Sequence, residues 1–354
     1  MPNTKPRHKL PEKILARIAQ KVESRLKTFF DEVEAAPPGP LFETQASSIM
    51  LAQVRHLTLR AGKRLRAALL VAGAQLFDAD AEDNPAVIDA AAAMELCHTY
   101  LLIHDDIMDG DPVRRGGPAV HVALGGFTGD PKKGEALGIL AGDLASALYQ
   151  VLLSRLSVNE STLARVIDIF ASMHLDVVHG QFLDMIGEVS AYEVAVHKTA
   201  SYTTIGPLTA GAAIAGARDK DLKHLAEIAL PLGVAFQFRD DLLGTFGNEE
   251  TTGKPVNTDI REGKRTSLME EARAKADRYQ LKQIKAVLGR QDATDAEVET
   301  VRDILEKCGA KAALVQHIRE MAEEFAAGLD KPYYTAQAKS FLVQIAAFMA
   351  ERDV

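Results

Sequence analysis

Three aspartates, Asp105, Asp106 and Asp109, close the segment ELCHTYLLIHDDIMD at 95–109. Asp105 and Asp109 are four positions apart and so share one face of a helix. Gly110 and Pro112 end that helix, which gathers the carboxylates at its C-terminal end, where the backbone dipole already favours cations over anions. The preceding LLIH is apolar enough for a partly enclosed site, and carboxylates crowded there repel one another unless something neutralises them. A hard divalent cation does so, and all-oxygen ligation favours magnesium over zinc. A second acidic pair, Asp240 and Asp241 in FQFRDDLLG, again stands near the end of an apolar helix. Two facing sites of this kind would make a cage in which metal ions clamp a diphosphate and draw off its charge as it leaves carbon. Alone, the first motif also fits a solvated acidic helix end, and the second pair weighs against that.

Basic residues stand where this chemistry needs them. Arg114 and Arg115 follow the first aspartates, Lys254 and Lys264 follow the second pair, and Lys63, Arg64 and Arg66 form a further cluster. Singly, each fits a solvated surface charge. As a set they fit diphosphate ligands, with Lys63 and Arg66 in a separate anion pocket.

The elements that must position these groups are helices. Apolar residues recur at helical spacing from about residue 12 onward, and alternating runs rich in Val, Ile and Thr are missing, so the fold class is all-α. Asn84 as N-cap and Pro85 at the first helical position predict a helix over 85–109. A second is expected over 222–243 with a kink at Pro231. Breakers cluster at 36–40, 77–85, 110–118, 125–134 and 247–255, none long enough for a linker, which favours one domain. The small residues of TAGAAIAGA at 209–217 suit close packing in the core.

Composition narrows the classes further. At 354 residues, 47% hydrophobic and 25% charged, the chain folds around a sizeable core. A formal net charge of −8 argues against a nucleic-acid binder but leaves room for local cationic pockets that capture a small anion. Cys97 and Cys308 make neither a disulfide framework nor a metal motif, so a cytoplasmic location is expected. The N-terminus fits an amphipathic helix with no signal segment, and Ala86–Ile103, interrupted by Asp89, Glu95 and His98, fits a buried core helix with no transmembrane span.

AGKRLR at 61–66, the 95–109 segment, RRG at 114–116, GQFLD at 180–184, KT at 198–199, FQFRDD at 236–241, GKP at 253–255 and DIREGKRT at 259–266 together resemble the trans-polyprenyl diphosphate synthase family in order and spacing. The likeness covers nearly all of the chain after about residue 50 and is greatest to bacterial geranylgeranyl diphosphate synthases. It implies an isoprenoid-synthase bundle of antiparallel helices around a deep central cavity, a variable segment at 1–45 before a catalytic core at 46–354, and a homodimer. It also implies Mg2+ (or Mn2+) on Asp105, Asp106 and Asp109, with Asp240 and Asp241 opposite. Arg114, Lys198, Thr199, Gln237, Lys254 and Lys264 would hold the allylic diphosphate, with Lys198 counted in the catalytic set. Lys63, Arg66, His98 and Arg115 would hold isopentenyl diphosphate. His98 alone also fits a satisfied core histidine.

Two positions depart from the family pattern: Gly244 replaces a third aspartate, and Ala61 stands where a second glycine is common. The reaction implied is loss of diphosphate from an allylic substrate (dimethylallyl, geranyl or farnesyl), attack by the double bond of isopentenyl diphosphate, and loss of a proton to the released diphosphate. Tyr100 and Leu101, five and four positions before Asp105, are the expected chain-length residues; the first also fits a core aromatic turned away from the cavity. They point to geranylgeranyl diphosphate, with a farnesyl diphosphate synthase as the alternative. A terpene cyclase would not need Lys63, Arg66 and Arg115, and a non-catalytic regulatory subunit would not keep the aspartates.

Overall fold

A computed structural model describes residues 11–36, 45–247 and 258–351. Its contacts divide the chain into two compact units: Glu12–Asp168 with Ala210–Ala217, and Ile169–Thr209 with Arg218 onward. Both are helical almost throughout, as the apolar spacing predicts.

In the first unit, α1 (Glu12–Ala35) buries Leu15, Ile18, Val22, Leu26, Phe29 and Val33 along one stripe, the amphipathic helix expected from its sequence. The helices α2 (Gln45–Leu59), α3 (Leu65–Gln75) and α4 (Pro85–Met108) follow. The Asn84 side chain accepts from the Ala86 amide at 3.0 Å, Pro85 takes the first helical position, and the Asp109 amide closes the last turn on Asp105 O at 2.8 Å. The predicted boundaries of α4 therefore hold. Its middle, from Ala90 to Tyr100, is buried on every side, against α1, α3 and a later helix, α6 (Pro131–Ser154). By length and composition both α4 and α6 could cross a membrane, but α4 is mostly buried inside the protein, as its interrupting polar residues suggest.

Between α4 and the short helix α5 (Val120–Thr128), the breakers form a hairpin: β1 (Val113–Arg114) pairs antiparallel with β2 (Gly117–Pro118). No strand pattern in the sequence announces it, and it is the whole of the sheet among the described residues. Arg115 and Gly116 turn the chain at φ 50° and 71°. The glycine-rich stretch at 125–134 breaks later than its composition suggests: α5 runs through Gly125 and Gly126 and stops at Gly129, φ 70°. Asp130 then caps α6 on the Lys132 and Lys133 amides. Gly211 bears out the close packing expected of 209–217, since a Cβ there would collide with the backbone of Leu70.

The second unit contains most of α7 (Glu160–Ile186), then α8 (Ala191–Val194), a π-helical stretch Ala195–Ile205 and the start of α9 (Gly206–Ile214). Next comes α10 (Asp219–Phe246), longer at both ends than the predicted 222–243, with Pro231 inside it. Val234, Phe238, Leu242 and Phe246 of α10 form a core with Leu268, Val301, Leu305, Leu314 and Ile318 from the helices that follow.

Candidate active site

The three clustered aspartates meet different fates. Asp106 is fully buried and bonded to the Arg114 guanidinium, which also donates to Asp111 at 3.0 Å and reaches Asp105 at 3.5 Å. Burial pushes the Asp106 carboxyl up to about 6, while the bonded guanidinium opposes the shift. Its Oδ2 is buried without a hydrogen-bond partner, which marks an oxygen left for another cation. Asp105 is half-buried and Asp109 is exposed at the helix end. Among the described residues no three acidic, histidine or cysteine side chains converge closely enough to hold an ion alone. The set still suits magnesium, which keeps water and substrate oxygens in its shell beside one or two carboxylates.

Arg115, the next residue, enters a different cluster. It lies against Gly62 and donates to Leu57 O at 3.3 Å. Burial, with Arg64, Arg66 and Arg114 close by, pushes its guanidinium down to about 10. His98 is deeply buried here, and burial together with Arg66, Arg115, Arg114 and Arg64 holds its imidazole well below 6.5, hence neutral. An Arg66 donor lies 3.4 Å from His98 Nε2, which the neutral ring offers as an acceptor. Arg64, grouped with the anion ligands by sequence, instead lies buried with Glu23 at 3.0 Å and Glu95 at 3.1 Å. Both acids are thus ion-paired to Arg64, Glu95 also favours the charge on Arg115, and Lys63 is exposed. Guanidiniums gathered beside a neutral imidazole suit an anionic ligand.

In the second unit, Lys198 and Thr199 lie in the π-helical stretch, a geometry that recurs at functional sites. Gly180 lets α7 approach: a Cβ there would collide with the Lys198 backbone. One turn later, Asp184 accepts from Lys198 Nζ at 2.7 Å. Thr199 Oγ1 donates to Gln237 Oε1 at 2.5 Å, and Gln237 Nε2 donates to Asp241 Oδ1 at 2.9 Å. Asp241 Oδ2 accepts from the Ser267 amide at 2.9 Å and hydroxyl at 2.7 Å. Burial pushes the Asp241 carboxyl up while these bonds oppose it. Both its oxygens are engaged, whereas Asp240 beside it is exposed. Lys264 reaches Glu262 at 3.1 Å, and Lys254 lies outside the described residues. At Gly244, the absent third aspartate, the space is taken by Asp259, whose carboxylate a Cβ at 244 would strike.

The first unit therefore brings together Asp105, Asp106 and Arg114, and separately Arg66, His98 and Arg115; the second brings together Lys198 with Asp184 and Thr199 with Gln237 and Asp241. The parts played by Asp184, Asp259 and Ser267 escaped sequence reasoning. Asp184 falls inside the GQFLD motif, but nothing local signals its pairing with Lys198.

The family model for polyprenyl synthetase matches residues 47–305. The chain belongs to this family. It is 32% identical to the geranylgeranyl diphosphate synthase of Methanosarcina mazei, over 93% of this chain and 97% of that one. It is 37% identical to the Sulfolobus acidocaldarius enzyme of the same name, over 71% and 75%. A solved structure of geranylgeranyl pyrophosphate synthase from Corynebacterium glutamicum, complexed with isoprenyl diphosphate and magnesium, superposes with a TM-score of 0.88 at 32% identity, covering 96% of this chain and 99% of that one. The chain is a prenyltransferase with the all-α fold of these synthases.

Within this family site, the neutral state of His98 has a measurable consequence. Its folded value is lowered, so below about 6.5 the unfolded chain binds a proton that the folded chain does not, and stability falls as pH falls. Relative to His98→Gln, the unsubstituted chain is expected to lose up to about 1.4 kcal/mol per pH unit below that point. Urea unfolding of both between about pH 7.5 and 5.5 measures this, and parallel profiles would refute it.

Proposed function

We propose that the chain joins isopentenyl diphosphate head to tail with allylic diphosphates, releasing diphosphate and giving chiefly geranylgeranyl diphosphate. One observation carries this: consecutive residues of one hairpin serve two different clusters, Arg114 the aspartates of α4 and Arg115 the cations around neutral His98. An acidic cluster that would hold one diphosphate through metal ions and a cationic cluster that would hold another directly fit a reaction of two diphosphates. A terpene cyclase takes one, and a regulatory subunit without activity has no use for the α4 carboxylates.

We assign Asp105, Asp106 and Asp109, with Asp240, to Mg2+, for which Mn2+ can substitute; Asp241 holds Gln237 in place. Bound magnesium neutralises charge on the departing diphosphate. The chain's own groups do the rest. Arg114, Lys198, Thr199, Gln237, Lys254 and Lys264 bind the allylic diphosphate, while Lys63, Arg66, His98 and Arg115 bind isopentenyl diphosphate. A neutral His98 accepts from Arg66 without adding to the repulsion among the cations. Apolar side chains ahead of Asp105 exclude water, which would trap an allylic cation as an alcohol.

The Tyr100 ring is buried and meets His104 edge-on at 5.0 Å. Burial pushes its phenol up to about 12, with Cys97 and Asp143 adding to the shift. Leu101 is half-buried one turn before Asp105. At 1.5 Å per residue Tyr100 lies roughly 7.5 Å along the axis from Asp105, so its ring acts as a partial floor for the growing tail.

We propose a homodimer in the cytoplasm. Leu175, Val178, Phe182 and Met185 are exposed at helical spacing on α7, and the same ridge on a second copy would cover them.

Chelation should abolish turnover of isopentenyl diphosphate with each allylic primer, and Asp105→Ala should lower it by at least about a hundredfold, because metal acting on a leaving diphosphate contributes several kcal/mol. Unchanged turnover in Asp105→Ala would remove the assignment. Chromatographic sizing should show longer products from Tyr100→Ala and shorter ones from Leu101→Phe; no shift in either places the floor elsewhere. Sedimentation should give twice the monomer mass, reduced by Phe182→Glu, and a monomer without the substitution defeats the dimer.

A further inference from the structure

The last turn of α2 and the residue after it touch the arginine of each cluster in the first unit. Arg60 Nη1 donates to Arg114 O and Pro118 O, each at 2.9 Å. These carbonyls lie on opposite strands of the hairpin, in which Val113 pairs with Pro118 and Arg114 with Gly117. One guanidinium thus ties the strands together. Gly117 makes room for it, since a Cβ there would stand 2.9 Å from Arg60 Cζ. From the same turn, Arg60 O accepts from Arg64 at 3.0 Å and Leu57 O accepts from Arg115 at 3.3 Å.

The hairpin needs such a tie. Its strands are two residues each, too short to hold by their own ladder, and Arg115 occupies the left-handed region that side chains disfavour. Yet the direction of two arginines depends on it. Arg114 must reach Asp106, and Arg115 must turn the other way toward Gly62 and His98.

We infer that Arg60 is a positioning residue for both diphosphate sites: by clamping the hairpin at two carbonyls it aims Arg114 at the aspartates of α4 and Arg115 at the cluster of Arg66 and His98. Its effect on substrates rests on the reaction proposed above; its effect on the hairpin does not.

The test pairs amide hydrogen exchange over residues 113–119 with isopentenyl diphosphate titration and steady-state kinetics. The Ala119 amide, bonded to Pro112 O at 2.9 Å, is the reporter. In Arg60→Ala the hairpin should exchange faster while the other helices keep their protection. The Michaelis constant for isopentenyl diphosphate should rise roughly tenfold, the scale expected when one charge-assisted hydrogen bond to a substrate is removed, and Arg60→Lys should recover part of it. The double variant Arg60→Ala/Arg115→Ala should bind this substrate no worse than Arg115→Ala alone. Should Arg60→Ala fail to fold, Arg60→Gln carries the same measurements. Unchanged exchange at 113–119 overturns the inference whatever the substrates prove to be. Additive losses in the double variant also overturn it, since they mean that Arg60 meets the substrate itself. If the unsubstituted chain does not bind isopentenyl diphosphate, the proposed reaction fails, and hairpin exchange alone then decides for or against the clamp.

Discussion

The carboxylate of Asp106 lies fully buried at the C-terminal end of α4, where the helix dipole and the neighbouring Asp105 both oppose it, and the Arg114 guanidinium answers it. Much of the first unit follows from that pair. A buried charge without its partner is strongly destabilising, so the chain must return after α4 to deliver an arginine, and it does so with a hairpin only two residues per strand. A turn that short puts the following arginine, Arg115, on another heading, into a cluster that already contains Arg66.

That second cluster shows the opposite balance. Where Arg114 meets three carboxylates, Arg115 lies near other cations and a histidine held neutral by burial and by those cations. Glu95, which favours the charge on Arg115, is itself ion-paired to Arg64, as is Glu23. Excess negative charge at one end of the hairpin and excess positive charge at the other mark two chemically different places, one calling for a cation and one for an anion. The proposed reaction requires both, because one diphosphate must be drawn away while the other is only held.

In the second unit the ordering principle is hydrogen bonding. A relay from Thr199 through Gln237 to Asp241 and Ser267 ties the π-helical stretch to α10 and to the start of the helix Ser267–Lys275, while Lys198 is fixed by Asp184. Each buried polar group in the relay has its partner, which fixes orientation at low dielectric. Adjacent aspartates thereby differ in kind: Asp241 is an internal fastener and Asp240 an exposed acid.

The sequence by itself determined the helical class, the ends of α4 and the clustering of three aspartates there, because caps, prolines and apolar period act within a few residues. It also carried the family, through the order of its motifs. What it could not decide is which of several like residues faces which partner. DDIMD does not say that Asp106 turns inward to Arg114 while Asp109 stays in water, nor does KRLR say that Arg64 pairs with Glu23 and Glu95 while Arg66 lies beside His98. The space at Gly244 filled by Asp259, and the hold of Arg60 on Arg114 O and Pro118 O, are contacts between residues far apart in the chain. Such contacts depend on side-chain direction and on backbone carbonyls, which residue type does not encode, so only the tertiary structure assigns them.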